Sequence, residues 1–323
     1  MTRALRAVAL GGGHGLYATL RALRLLTSEI TAVVTVADDG GSSGRLRREL
    51  GVLPPGDLRM ALAALAAEDG NAGRWRQLFQ HRFGGTGALA GHAVGNLVMA
   101  GLLELIGDPV AMLDDVCALL GVTGRVLPMS VEPLDIEADV SGLDTNPDTV
   151  RRIRGQVAVA TTPGRVRRVW LRPERPKACA QAVHALHAAD AVVLGPGSWF
   201  TSVLPHLLVP ELSAALASTA ARRVVVLNLA PQPGETAGFS PEQYLRVLRE
   251  HAPAGFTVHA VLAHTDTVTV PPRLHQYAAA LGGRAYLDRV AEDGSTDRHD
   301  PVALAAALRR ILVASQGTTD RTC

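Results

Sequence analysis

The chain has 323 residues, 47% of them hydrophobic and 19% charged, so it has ample material for a core and is not disordered in its main state. Its 32 basic residues include a single lysine, Lys177, while a formal net charge of +2 and 4% aromatic content argue against a basic field or a base-stacking platform, and so against nucleic acid as a partner. Three cysteines, Cys117, Cys179 and Cys323, show no CxxC spacing; they encode neither a disulfide framework nor a zinc cluster and suit a reduced cytoplasm.

Arg3 and Arg6 precede a short apolar run that glycines end at once, which is not a signal peptide. No run of about 18 apolar residues follows, so no membrane span is expected. A first strand is predicted over residues 5–10, then the turn Gly11-Gly12-Gly13-His14-Gly15 and a helix over 16–26. A second strand, 31–36, leads into Asp38-Asp39-Gly40-Gly41-Ser42-Ser43-Gly44-Arg45. Residues 57–121 read as a helical insertion with a loop at 84–87 and a helix over 95–105; residues 125–172, richer in β-formers, read as a small antiparallel β excursion. A helix over 176–187 precedes a strand at 191–194 and the turn Gly195-Pro196-Gly197-Ser198. A strand at 223–229 is followed by Gln232-Pro233-Gly234-Glu235-Thr236, a helix over 241–250, a strand at 257–263 and a helix over 301–313. The tail, 315–323, is polar and reads as frayed. Nearly all-apolar strands alternating with helices predict an α/β fold, a doubly wound, mostly parallel sheet within a single domain over 1–323.

Four glycine-rich turns each follow a predicted strand directly. All strand carboxyl ends of an open parallel sheet share one edge, so these turns should converge on one ligand site. Glycine lets backbone N–H groups approach a ligand, and the helix starting near Leu16 adds the positive end of its dipole, so a phosphate or diphosphate fits. Gly13-His14-Gly15-Leu16-Tyr17-Ala18 also satisfies GxGxxA, with Asp38 placed 20 residues beyond Ala18, as in the dinucleotide fingerprint; no P-loop exists. The pair Asp38-Asp39 suits Mg²⁺ beside a diphosphate, and Asp39 equally suits an Asx-type turn cap. Arg45, Arg47, Arg48 and Arg59 surround the second turn, where a guanidinium can grip phosphate through two hydrogen bonds. His92 and Asn96 share a helix face and suit a sugar or base contact, or an N-cap and buried turn contact, with Asn96 the stronger ligand candidate. No GxSxG elbow, HExxH or local Cys–His set is present, so Ser42, Ser43, Ser198 and Thr201 read as phosphate-binding hydroxyls. No catalytic residue and no dedicated metal-ligand set is identified; the site reads as one that holds its ligand rather than one that turns it over.

The chain resembles the YvcK-type gluconeogenesis factor family, in the superfamily of the 2-phospho-L-lactate transferases (CofD-like). The carrying motifs are Gly11 to Leu16, residues 33–59 (VVTVADDGGSSGRLRRELGVLPPGDLR), 91–97 (GHAVGNL), 195–205 (GPGSWFTSVLP), 228–236 (NLAPQPGET) and Arg298-His299-Asp300. The resemblance implies a Rossmann-like core, a cytoplasmic location and binding of a UDP-sugar, UDP-N-acetylglucosamine foremost. The implied role is regulation of cell shape and envelope synthesis under gluconeogenic growth, without defined turnover and with a protein partner in envelope synthesis. It also implies that Tyr277 and Arg298 contact the sugar nucleotide. The chain departs from the family at His14, usually threonine, at Gln156, usually glutamate, and through residues 141–165, which match weakly. Two alternatives stay open: a phospholactate transferase taking a nucleotide-linked donor, a deazaflavin acceptor and Mg²⁺, and an NAD(P) oxidoreductase. The subunit number, homo-oligomer included, is not encoded legibly.

Overall fold

Seven short aliphatic runs pair edge to edge into one sheet in the computed structural model, which describes residues 3–313; the expected frayed tail and Cys323 lie outside the described residues. In chain order the ten strands are β1 (Ala7–Gly11), β2 (Ile30–Val34), β3 (Arg125–Pro128), β4 (Asp135–Ser141), β5 (Val150–Arg154), β6 (Arg165–Arg172), β7 (Ala191–Leu194), β8 (Arg222–Val226), β9 (Ala260–His264) and β10 (Arg284–Asp288). The large sheet runs β10-β9-β8-β7-β1-β2-β3, with every neighbouring pair parallel. AVALG in β1 and AVVL in β7 are buried along their whole length, because helices cover both faces of a parallel sheet.

The register sets the level at which the strands end. Gly11 lies beside Val34, Val34 beside Pro128, Leu10 beside Leu194 and Val226 beside Leu262, so the loops after β1, β2, β7 and β8 leave from one edge. The chain steps from β1 to β2 on one side and returns as β7 on the other. The β1 and β7 loops therefore open at the topological switch point, the place where sheets of this kind bind ligands.

Five helices lie between β2 and β3: Gly41–Leu50, Pro55–Leu65, Gly70–Gln80, Val94–Ile106 and Pro109–Leu120. Proline opens two of them at a position where its missing N–H costs nothing, and Asp108 caps the last by accepting from the N–H groups of Val110 and Ala111. Residues 125–128, where the sequence reading starts the β excursion, instead form β3 at the edge of the large sheet. The antiparallel excursion is the three-stranded sheet β5-β4-β6. It buries Ile136, Ala138, Val140, Val169 and Leu171, while Arg152–Asp139 and Arg172–Glu137 pair across its other face.

Candidate functional site

Close backbone packing joins the first and third glycine loops. The helix Gly13–Leu23 starts directly after β1, and a Cβ on Gly15 would lie 2.1 Å from the Pro196 carbonyl oxygen, so only glycine lets the two loops touch. A Cβ on Gly12 would lie 2.3 Å from Asp57 Oδ2 and 2.6 Å from Thr35 Cγ2. Gly12 has no side chain to cap this helix and its first turn carries no acid; Asp57 from the helix Pro55–Leu65 takes the Gly13 N–H, and the positive end of the helix dipole faces the space above the loop. The third loop is held by Asn228, which accepts from the Gly197 N–H (2.8 Å) and donates to the Gly197 carbonyl (2.9 Å).

Above these loops lie two confluent cavities. The smaller, about 260 Å³, is lined by Gly12, Gly13, His14, Gly15, Thr35, Asp38, Asp57, Gln156, Gly197, Ser198, Thr201, Ser202 and Gln232. The larger, about 860 Å³, shares His14, Gly15, Gly197, Ser198 and Gln232 with it and extends to Tyr17, Asn228, Glu235, Glu292, Asp297, Arg298 and His299. His14 is exposed and borders both. The excursion sheet also reaches the site: the helix Gln156–Ala160 after β5 brings Gln156 to the smaller cavity and Ala160 to the larger.

Two carboxyl groups in these walls are held far from their ordinary range. Burial, and then the charge of Asp38, push Asp57 up to about 7, against the Gly13 N–H and the charge of Arg59. Burial likewise raises Asp38, although it accepts from the Gly40 N–H at 2.9 Å and from the Ser43 hydroxyl. Glu235 is 2% exposed, and burial pushes it up to about 7, although the Ser198 hydroxyl donates to its Oε1 at 2.6 Å and the N–H groups of Trp199 and Phe200 face it. Thr35 is buried with its hydroxyl unpartnered in the wall of the smaller cavity.

Of the residues singled out in the sequence, Gly12, Gly13, His14, Gly15, Asp38, Gly197, Ser198 and Thr201 line the smaller cavity and Arg298 the larger, where it pairs with Glu292 at 3.3 Å. The others support these walls or lie apart from them. Asp39 accepts from the Val157 N–H at 2.9 Å, at the head of the helix Gln156–Ala160. Gly40 caps the helix Gly41–Leu50, and Ser43 accepts from the Gly56 N–H. Ser42, His92, Asn96, Arg59 and Gln80 form one buried chain: Asn96 donates to Ser42 (3.0 Å), Arg59 Nε donates to Asn96 Oδ1 (2.9 Å), and the other end of Arg59 meets Gln80. Burial pushes His92 down, and its Nδ1 shares a hydrogen bond with the Ser42 hydroxyl at 2.9 Å. Arg45 ties down the carbonyls of Ala88 and Ala90, and Arg47 binds the Leu134 carbonyl and Asp135. Gly195 accepts from Thr19, and Tyr277 packs against the core from the helix Pro271–Ala280. Asp57 is not among the residues read as site candidates from the sequence; Gln232 and Glu235 enter there only as part of the fourth turn, and Gln156 only as a departure from the family. For Asp57 a signal existed, an acid in the first turn of a proline-opened helix, but its position beneath Gly12 follows only from helix packing.

Comparison with known proteins agrees with this architecture. The family described as 2-phospho-L-lactate transferase CofD matches residues 7–304. A putative gluconeogenesis factor of Mycobacterium tuberculosis is 59% identical over 316 residues, covering 97% of this chain and 92% of the relative. The gluconeogenesis factor of Bacillus subtilis is 36% identical over 258 residues, covering 80% of this chain and 78% of the relative. The crystal structure of a UPF0052 family member from Bacillus halodurans superposes with a TM-score of 0.85 at 34% identity, covering 95% of this chain and all of that one.

Proposed function

The chain belongs to the CofD-like family of gluconeogenesis factors, and on that premise we propose that it is a sugar-nucleotide-binding regulatory factor whose ligand is UDP-N-acetylglucosamine. The observation that carries this reading is the pair of confluent cavities at the switch point. One is narrow and walled by glycine N–H groups and a helix N-terminus; the other has the size of an ordinary small-molecule site. The diphosphate occupies the smaller cavity, and the nucleoside and sugar occupy the larger, beside Arg298. Tyr277, which lines neither cavity, contributes through the packing of its helix.

Mg²⁺ fits the same reading. Asp38 and Asp57 both face the smaller cavity, and the charge of Asp38 raises the cost of ionising Asp57, a repulsion that a cation relieves. Two carboxylates plus phosphate oxygens form a donor set that this ion favours. Asp39, turned to the Val157 N–H, is outside that set. When bound, the ion neutralises the diphosphate.

The relatives' description as gluconeogenesis factors supports a role in growth on gluconeogenic carbon sources; regulation of cell shape and envelope synthesis through a protein partner is part of the same proposal. No helix among the described residues is long and apolar enough to cross a membrane, and the cysteine usage suits the cytoplasm as its location. Calorimetric titration with UDP-N-acetylglucosamine, UDP, NAD and a deazaflavin tests the reading: only the UDP compounds should bind, and strongest binding by NAD would overturn it. The Asp38–Asp57 pair also favours a second reading, phospholactyl transfer to a deazaflavin, which requires a product detectable by mass.

A further inference from the structure

Ser198 borders both cavities, yet its hydroxyl proton is already committed. It donates to Glu235 Oε1 at 2.6 Å, and Thr201 Oγ1 is its other close partner. A hydroxyl carries one proton. With Glu235 ionised, Ser198 turns only lone pairs towards the smaller cavity, and a buried negative charge lies directly behind the loop that would receive a phosphate. With Glu235 protonated, the carboxylic acid donates to Ser198 Oγ, and the Ser198–Thr201 pair gains a free proton to donate to the ligand. The same protonation removes the repelling charge.

We propose that Glu235 is a proton-linked switch beneath the anion site, so that a phosphate seated against Ser198 and Thr201 is bound together with one proton. This rests on the reading of the cleft as a diphosphate site. The surroundings of Glu235 leave protonation as its means of losing charge. From the loop it meets Ser198 and the N–H groups of Trp199 and Phe200; from the helix Pro241–His251 its charge acts on Tyr244, whose hydroxyl donates to Thr236. No arginine, lysine or histidine is among its partners in the described residues. The other titratable groups of the cleft are Asp38 and Asp57 in the smaller cavity, His14 in both, and Glu292, Asp297, Arg298 and His299 in the larger. Burial already holds the carboxyl near neutrality at about 7, so a phosphate needs only a modest further push to protonate it.

The test is calorimetry with UDP-N-acetylglucosamine, and with inorganic pyrophosphate as a minimal probe, in two non-phosphate buffers of different ionisation enthalpy. At pH 8 the wild-type protein should take up a measurable fraction of a proton per ligand, more than Glu235→Gln does, and its affinity should fall as pH rises from 7.5 to 8.5. Glu235→Gln should bind with less uptake and a shallower pH profile, Asp57, also held at about 7 in the smaller cavity, supplying what remains. If Glu235→Gln does not fold, Ser198→Ala, which removes the hydroxyl link and leaves only the charge repulsion, should reduce the uptake and make the profile shallower in its place. Binding without proton uptake in the wild type, or unchanged uptake in Glu235→Gln, overturns the proposal and leaves the diphosphate reading standing. Absence of binding by both probes from pH 6 to 8.5 overturns that reading, and the proposal with it.

Discussion

At the scale of single residues, the site is defined by two carboxyl groups that the fold keeps protonated longer than water would. Glu235 has its ordinary pKa of 4.5 raised to about 7. The folded state therefore binds the proton more tightly than the unfolded chain, and stability falls as pH rises from about 4.5 through 7. Replacing the group by a neutral isostere removes that cost, so Glu235→Gln should be more stable than wild type by about 3 kcal/mol at pH 8 and by close to nothing at pH 4, as read by urea denaturation. Glutamine that is destabilising at pH 8 would contradict the assignment. Asp38 and Asp39 separate by position, Asp38 in the wall of the smaller cavity and Asp39 at the Val157 N–H. Asp39→Ala should loosen the helix Gln156–Ala160 by about 1 kcal/mol, the value of a lost cap, while Asp38→Ala and Asp57→Ala should abolish UDP-N-acetylglucosamine binding in calorimetry. Equal loss in all three would mean that Asp39 reaches the ligand. Local sequence made the glycines and Asp38 legible, because a turn that must approach a ligand announces itself in composition. Glu235 and Asp57 were not legible, because their raised pKa values come from burial by segments distant in the chain.

At the scale of elements, the interior strands were readable and the edges were not. β1 and β7 are uninterrupted aliphatic runs, whereas β3 is four residues ending in proline and β10 is mostly partly exposed. A strand buried on both faces has an apolar signature that an edge strand lacks. The contact of the β1 and β7 loops is the element-level feature on which the site depends most. Gly15→Ala would press its methyl against the Pro196 carbonyl and force the loops apart, with a loss of about 2 kcal/mol or more and of ligand binding together. A variant that keeps both stability and binding would show that the loops are not locked. The buried chain from Ser42 to Gln80 has the opposite lesson. Its residues carry the polarity of a ligand site, and the helical insertion turns them inward to fasten the second loop to the helices Pro55–Leu65 and Val94–Ile106. Spacing placed His92 and Asn96 on one face but left open whether that face met solvent, a ligand or another helix.

At the scale of the whole molecule, the parallel sheet is a device for bringing four chain-distant loops to one edge, and the small antiparallel sheet adds a fifth wall through Gln156. The arginine-rich composition takes on meaning only here: Arg298 borders the larger cavity, Arg45, Arg47 and Arg59 hold the frame around the smaller one, and Arg152 and Arg172 sit in ion pairs on the excursion. A ligand that bridges the two cavities joins loops from both halves of the sheet and so opposes global unfolding. Thermal denaturation with and without UDP-N-acetylglucosamine is the most direct test of the central claim. At about 100 times Kd the ligand should add about 2.7 kcal/mol and raise Tm by roughly 4 °C, with no shift from NAD. A flat response to saturating UDP-sugars together with a clear shift from NAD would contradict the account.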